Sequence, residues 1–469
     1  MNNTVLLFVA LPIALGLLLI LLERWPRFSA FLAALIPLSL TGLALVFSQS
    51  LNLNFLGQQF VLEDSLSVFG RNIQIEANQL GMVALLYFVC FLWNLPVKFF
   101  DYNHWFSSLS LIISGFWVLV QFINPFLYSA LVVELIVLIS VPLLSPRGAP
   151  AKAGIMRYLT MQTLALPLVL LSGWMVAGIE TSPSAQALVS RGAFLVLTGF
   201  MLWAGVFPLH SWQPMLSEES QPWSYSFLLV IMQVSLTFFF LHFLNQYPWL
   251  RNLEQLGLVL KWLGSLSIVA AGVLAAFQTN LKRISSYIFM AEAGYTILTF
   301  AYIPQGGLDI ITMSLLPRIF GLWSLNFATS YLSKNISSEK MELEELKGAI
   351  YRFPRTSGLL IISFLNIIGM PLFSLFPSKR ILWGIVIADN LVFQILGILG
   401  FLGFMIVILR TLNIMIKKPE NGGQEKVEKS IMILPIALIV LIMVMAGTIP
   451  QLFSAPIQNI LLSFNNLFP

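Results

Sequence analysis

Charge is what this sequence has least of. Asp, Glu, Lys and Arg together make up 10% of its 469 residues, against about 25% in a soluble globular domain, so a soluble globule is excluded. The single cysteine, Cys90, lies inside an apolar run, which excludes disulfides, cysteine-ligated zinc and iron–sulfur clusters. Three histidines, His104, His210 and His242, are scattered too widely to suggest a haem or metal centre. The chain has no GxGxxG, no P-loop and no HExxH. It therefore lacks a nucleotide site, and no cofactor is expected in it. Its net charge of +5 sets orientation and does not signal nucleic acid, because the basic residues fall in short links between apolar runs.

Apolar length is what the sequence has in excess. It is 58% hydrophobic, with a mean hydropathy of +0.88. Runs of about 20 residues, long enough to cross a bilayer, lie near 4–22, 29–48, 77–97, 105–124, 126–144, 157–178 and 192–208. Others lie near 222–244, 254–276, 284–303, 308–333, 356–388, 391–415 and 430–450. This predicts an all-α polytopic membrane protein of about 14 transmembrane helices. The first run has no basic segment before it and reads as a retained span rather than a cleaved signal. Residues 49–76 are too polar to span and read as an external hairpin or loop.

Lys and Arg mark the cytoplasmic side. Arg24, Arg27, Lys98, Arg147, Lys152, Arg157, Lys282, Arg283, Lys334, Lys340, Lys347, Arg352, Arg355, Arg410, Lys417, Lys418, Lys426 and Lys429 all fall in or beside links that follow odd-numbered spans. Both termini are therefore expected outside. The link 209–221 is acidic and dissents. Two softer segments remain: SSEKMELEELKGAIYRF (337–353) reads as a short amphipathic helix with Ser338 as N-cap, and KKPENGGQEKVEK (417–429) as a mobile loop.

Two spans are interrupted in the same way. GFMLWAGVFPLHSWQPMLSEESQPW breaks at Pro208 and resumes after Pro222, and IIGMPLFSLFPSKRILWG breaks at Pro371 and Pro377, just before Lys379 and Arg380. A bilayer tolerates such breaks, expected near 208–222 and 371–379, only where protein or water covers the freed backbone groups. Paired breaks in corresponding positions point to an inverted-repeat transporter core.

Four stretches, in order, carry a resemblance: FPLHSWQP (207–214), FQTNLKRISSYIFMAEAGYTIL (277–298), LKGAIYRFP (346–354) and FLNIIGMPLFSLFPSK (364–379). With these the chain resembles the antiporter-like membrane subunits of NADH–quinone oxidoreductase (respiratory complex I), leaning to the N type over the M and L types. Through them it is similar to Mrp-type cation/proton antiporters and membrane-bound hydrogenase subunits. The resemblance implies two inverted five-helix repeats. It divides the chain into 1–104 (spans 1–3), 105–244 (first repeat), 254–415 (second repeat, with the amphipathic segment 338–350) and 430–469 (span 14 and tail). It also implies partners, namely other membrane-arm subunits, the lipid bilayer and protons, with Na⁺ as the alternative ion. Any NAD(P)H or ferredoxin, flavin, iron–sulfur clusters and quinone would belong to other subunits. The implied setting is a bacterial inner membrane or a thylakoid membrane.

Each ionisable residue within the apolar runs has a functional and a plain reading. Glu134, alone in mid-span, costs at least about 2 kcal/mol unless it meets a partner or water; it matches the family's fifth-span glutamate, with a neutral structural carboxyl as the alternative. Lys379 matches the twelfth-span lysine, read as a gate to the outside, against a lysine snorkelling from a helix end beside Arg380. His210 at the first break suits a proton relay or a helix cap equally. Arg318 does not deprotonate and reads as a fixed counter-ion with Glu292 or Asp309 as partner. Lys261 reads as snorkelling, His242 and Asp389 as interfacial. Two positions depart from the family: its seventh-span lysine falls on Trp203 and its eighth-span lysine or histidine on Gln233. Neither side chain titrates. The function implied is proton translocation coupled to electron transfer, in a subunit with an incomplete proton path. The alternatives are a structural, non-pumping subunit or a stand-alone antiporter.

Overall fold

The computed structural model describes residues 3–48, 52–55, 58–61, 63–68, 70–96, 100, 105–145, 152–181, 186–336, 341–418, 428 and 432–467. Lys98, His104, Arg147, Ser338, Lys340, Lys426 and Lys429 lie outside them.

The chain begins with α1 (Leu11–Leu21) and α2 (Pro26–Phe47), followed by strands β1 (Asn52–Phe55), β2 (Gln58–Val61), β3 (Ser65–Val68) and β4 (Arg71–Gln74). Next come α3 (Leu80–Asn94), α4 (Phe106–Phe122), the two-residue β5 (Ile123–Asn124), α5 (Leu127–Leu144), α6 (Ala153–Thr181) and α7 (Gln186–Ala204). Beyond the first break are α8 (Trp212–Glu219), α9 (Pro222–Gln246), the single turn α10 (Pro248–Arg251), α11 (Glu254–Phe277), α12 (Leu281–Ala301) and α13 (Gly307–Ile336). The chain closes with α14 (Ala349–Arg352), α15 (Pro354–Ile368), α16 (Phe376–Asp389), α17 (Leu391–Ile416), α18 (Ile433–Thr448) and α19 (Gln451–Leu461).

Among the described residues, eight helices are long and apolar enough to cross a membrane, or nine if α18 and α19, bent by 74°, count as one span. Shorter apolar helices include Phe106–Phe122, Tyr128–Leu144 and Pro354–Ile368. The polar stretch 49–76 makes two antiparallel hairpins, β1 with β2 and β3 with β4, and β4 also pairs with β5. Asn3 bridges Glu63, which ties the start of the chain to this sheet.

The helices fall into two compact units. One comprises Met1–Ala204, Phe227–Leu253 and Asn459–Pro469; in it α1 packs on α4, α2 on α3 and α6 on α7. The other comprises Gly205–Ser226 and Glu254–Gln458; here α11 packs on both α12 and α17, and α13 on α15. Apolar side chains give no driving force for association in lipid, so such contacts depend on close packing over small residues. Gly264 and Gly294 let α11 meet α12, since a Cβ on Gly264 would stand 2.8 Å from the Gly294 carbonyl oxygen. Gly272, Gly400 and Gly403 do the same for α11 and α17, backbone against backbone.

One expectation for a loop needs correction. Residues 341–353 do not form one amphipathic helix. They form a short turn at Leu343–Leu346 and α14, separated by Gly348 at φ 73°. Glu342 is also held in a bridge to Asn280, so the backbone bonds that a continuous helix needs are used elsewhere. Of the expected mobile loop 417–429, residues 419–427 and 429 lie outside the described residues; Glu428 is described and buried. Its carboxylate accepts from the backbone N–H groups of Arg355 (3.0 Å) and Thr356 (2.9 Å), capping α15 in place of a local residue.

Candidate functional site

The second break runs from Gly369 to Leu375 and is built for closure. Gly369 sits at φ 81°; its N–H returns to the Asn366 carbonyl and the Met370 N–H to that of Leu365, both at 3.0 Å, which is a Schellman ending. Asn366 spans the gap, its Oδ1 accepting from the Ser374 hydroxyl (2.7 Å) and the Leu375 N–H (3.4 Å). Gly447 of α18 lies against the Leu372 and Phe373 carbonyls, where a Cβ would collide. The Leu372 and Phe373 carbonyls are thus covered by α18 and Ser374 and Leu375 are buried, while the Pro371 and Leu372 side chains stay exposed.

Lys379 follows in the first turn of α16 and points inward, while Arg380 is exposed. Snorkelling is therefore not its role. Its Nζ lies 2.8 Å from Glu292 Oε1, reaches the Ile367 carbonyl at the open C-terminal end of α15, and stands 3.8 Å from the centre of the Tyr295 ring. A cation is favoured at both places, by the helix dipole and by the aromatic face. Glu292, only 1% exposed, also meets Arg318: Oε2 is 3.2 Å from the guanidinium Nε. Arg318 donates further to Thr296 and, at 3.3 Å, to Ser314. Glu292, rather than Asp309, is thus the partner of Arg318. One buried carboxylate on α12 serves two buried cations, from α13 and α16. Only the amine among those cations gives up a proton readily.

The first break is different in kind. Gly205 (φ 61°) leaves no room for a Cβ beside Trp212 and Gln213, and the Phe207 N–H donates to Ser267 Oγ of α11 at 3.2 Å. His210 packs between Phe207, ring centres 5.9 Å apart, and Tyr287 at 6.3 Å. The acidic link that dissented from the charge rule finds its reason here: Glu218 Oε2 pairs with the Arg283 guanidinium, 2.5 Å from Nη2.

The other expected path residues lie in the first unit. Trp203 is 1% exposed, edge-on to Phe200 (5.8 Å) and close to Phe239 (6.5 Å). Gln162 donates to the carbonyls of Leu202 and Trp203, which the end of α7 leaves open. Gln233 is buried on α9. Glu134 lies half-buried on the face of α5 that carries exposed Leu131, Leu135 and Leu138. The Thr163 hydroxyl of α6 donates to its Oε1 at 2.8 Å.

Sequence reasoning missed a second charged group. Lys261 Nζ is 2.9 Å from Asp389 Oδ2, and Tyr302 OH donates to the same oxygen at 3.0 Å. Lys261 and Asp389 are thus partners rather than separate interfacial residues. Their separation of 128 positions left no local signal.

The NADH:quinone oxidoreductase/Mrp antiporter transmembrane family matches residues 154–405. Among similar curated proteins, NADH-quinone oxidoreductase subunit N of Moorella thermoacetica is 27% identical over 225 residues, 46% of each chain. F(420)H(2) dehydrogenase subunit M of Methanosarcina mazei is 25% identical over 218 residues, 45% of this chain and 42% of that one. The chain spans about half the length of the curated relatives it matches. Two solved structures share the fold. A chain of the membrane-bound sulfane sulfur reductase, an archaeal respiratory membrane complex, has a TM-score of 0.80 at 17% identity, covering 99% of this chain and 97% of that one. A chain of the Mrp complex from Dietzia sp. DQ12-45-1b has a TM-score of 0.79 at 13% identity, covering 100% and 99%. With more than half its length matched, the chain belongs to the NADH:quinone oxidoreductase/Mrp antiporter membrane family.

Proposed function

We propose that this chain is a membrane-arm subunit of an NADH- or ferredoxin–quinone oxidoreductase-type complex and takes part in proton translocation driven by electron transfer in other subunits. The supporting observation is the buried Lys379–Glu292–Arg318 cluster beside a helix break. Fully ionised, the cluster holds two positive charges and one negative. Loss of one proton from Lys379 leaves the Glu292–Arg318 ion pair and a neutral amine. The site thus alternates between net charges of +1 and 0 without unpairing Glu292, and a charge change in a neighbouring subunit biases that choice. The test is Lys379→Met in the intact complex. Proton uptake by sealed vesicles is expected to fall at least tenfold, and an unchanged rate overturns the reading.

The same reading takes the membrane crossings as fourteen: α1 to α7, α9, α11, α12, α13, the α15–α16 pair, α17 and α18. The inverted repeats are then spans 4–8 and 9–13, and the division of the chain at 104, 244, 254, 415 and 430 stands with them. Both termini face outside a bacterial inner membrane, with other membrane-arm subunits alongside. Cysteines placed at residues 2 and 422 label from opposite sides if this is right and from one side if it is wrong. Glu134, His210, Gln233, Arg318 and Lys379 are the proposed path residues.

A second reading, favoured by Trp203, is a subunit that no longer conducts through its centre and acts structurally. An indole packed on Phe200 and Phe239 supplies no proton site and fills the volume that a water chain needs. Trp203→Lys separates the two: a gain in proton movement supports a broken central axis, and no change speaks for a route that never used this position.

A further inference from the structure

We infer that Asp389, with Lys261 and Tyr302, is the proton-release site for Lys379 at the far end of α16. This rests on the reading of Lys379 as a titrating group. The two residues share one rigid helix, Lys379 in its first turn and Asp389 as its last residue. Ten residues at 1.5 Å each separate them by about 15 Å, too far for a direct transfer.

The route between them is marked on the adjoining helix. Tyr295 of α12 lies under Lys379 Nζ at 3.8 Å. Two turns on, Tyr302 donates to Asp389 at 3.0 Å. Positions seven apart share a helix face, so the two phenols form a polar stripe directed from one charged group to the other. Around the stripe Leu298, Ile310, Leu382, Val386 and Phe393 form a buried apolar cluster. Trp383 packs on Tyr295 with ring centres 6.1 Å apart. The side chains around the stripe are apolar, so the transfer requires water to enter along the tyrosines.

Asp389 faces outward. Its side chain is 25% exposed, and it lines a cavity of about 450 Å³ together with Gln305, Ile381, Gly384, Ile385 and Ala388. The step balances as a proton shift alone. The Lys379 ammonium becomes an amine, waters along the stripe carry the proton, the Asp389 carboxylate becomes a carboxylic acid, and that acid releases its proton to water in the cavity. The Lys261 ammonium stays charged throughout, 2.9 Å from Asp389, and draws the carboxylate back to its ionised form.

A plain clasp between α11 and α16 is the competing role, and a charge swap tells them apart. The complex is reconstituted in sealed vesicles with Asp389→Asn, Asp389→Glu, Tyr302→Phe or the double exchange Lys261→Asp with Asp389→Lys, and proton movement is followed by a pH-sensitive dye. Asp389→Asn is expected to slow it at least tenfold and Tyr302→Phe several-fold. Asp389→Glu is expected to keep most of it, and the double exchange, which keeps an ion pair but moves the carboxylate to α11, to stay slow. Recovery in the double exchange, or a parental rate in Asp389→Asn, overturns the assignment. If Asp389→Asn fails to accumulate, Tyr302→Phe and Asp389→Glu decide: a parental rate in Tyr302→Phe overturns it. Lys379→Met, run alongside, distinguishes the failures. If it too keeps the parental rate, the reading of Lys379 falls. If it alone is slow, only the role of Asp389 does.

Discussion

The helix breaks after α7 and after α15 differ in what their neighbourhoods bury. Beside Gly369–Leu375 are a lysine, an arginine and a glutamate, each less than a tenth exposed. Just before the other, at the end of α7, are Trp203 and Phe200, packed with Phe239. A backbone break therefore does not by itself make a charge site. It frees carbonyl and amide groups, and the side chains nearby decide whether these serve a cation, as Ile367 serves Lys379, or are tied off by an amide, as Gln162 ties off Leu202 and Trp203.

The sharpest way to break the contrast is to remove the one carboxylate in the charged cluster. Glu292→Gln leaves Lys379 and Arg318 buried without a counter-ion, and a loss of about 3–5 kcal/mol is expected, read as a lowered midpoint in thermal or denaturant unfolding in detergent. Trp203→Ala tests the aromatic region. An empty indole site there is expected to cost about 3 kcal/mol, whereas Trp203→Phe, which keeps the ring contact, is expected to cost less than half as much. Equal losses in the two variants would mean that the indole volume is not what holds α7 against α9.

A smaller effect is expected at the close contact between α11 and α17. Gly400→Val drives a side chain against the Ile268 carbonyl, only 2.7 Å from where its Cβ would stand. A cost of about 1–3 kcal/mol follows from overpacking, and Ala at the same place is expected to be milder. Smallest is Arg283→Met, which opens the pair with Glu218. The two side chains are 37% and 28% exposed, so water screens them and the expected loss is below about 1 kcal/mol.

The sequence made the helices legible because each apolar run is long and the links are marked by charge. Both breaks were legible through Pro208, Pro371 and Pro377, although the second starts at Gly369 and α16 resumes at Phe376, ahead of Pro377. Arg318 could be matched to Glu292 because an arginine within an apolar run demands a carboxylate and few were on offer. That Lys379 shares this carboxylate was not readable, since the two lie 87 positions apart and each has charged or polar neighbours of its own. The Lys261–Asp389 pair was hidden for the same reason. Residues near helix ends look interfacial from composition alone, and only the fold brings two ends together. The helix expected over 337–353 failed because propensity carries no information about the bridge between Glu342 and Asn280.

The cap on α15 carries a consequence for the order in which the protein is made. Thr356 and the carboxylate that accepts its amide are 72 residues apart, so α15, α16 and α17 have all left the ribosome before Glu428 emerges. Until then the first turn of α15 depends on water for the bonds that Glu428 later provides. A chain released just short of Glu428 would carry every residue of the charged cluster and lack the bond that completes the start of the helix leading into it.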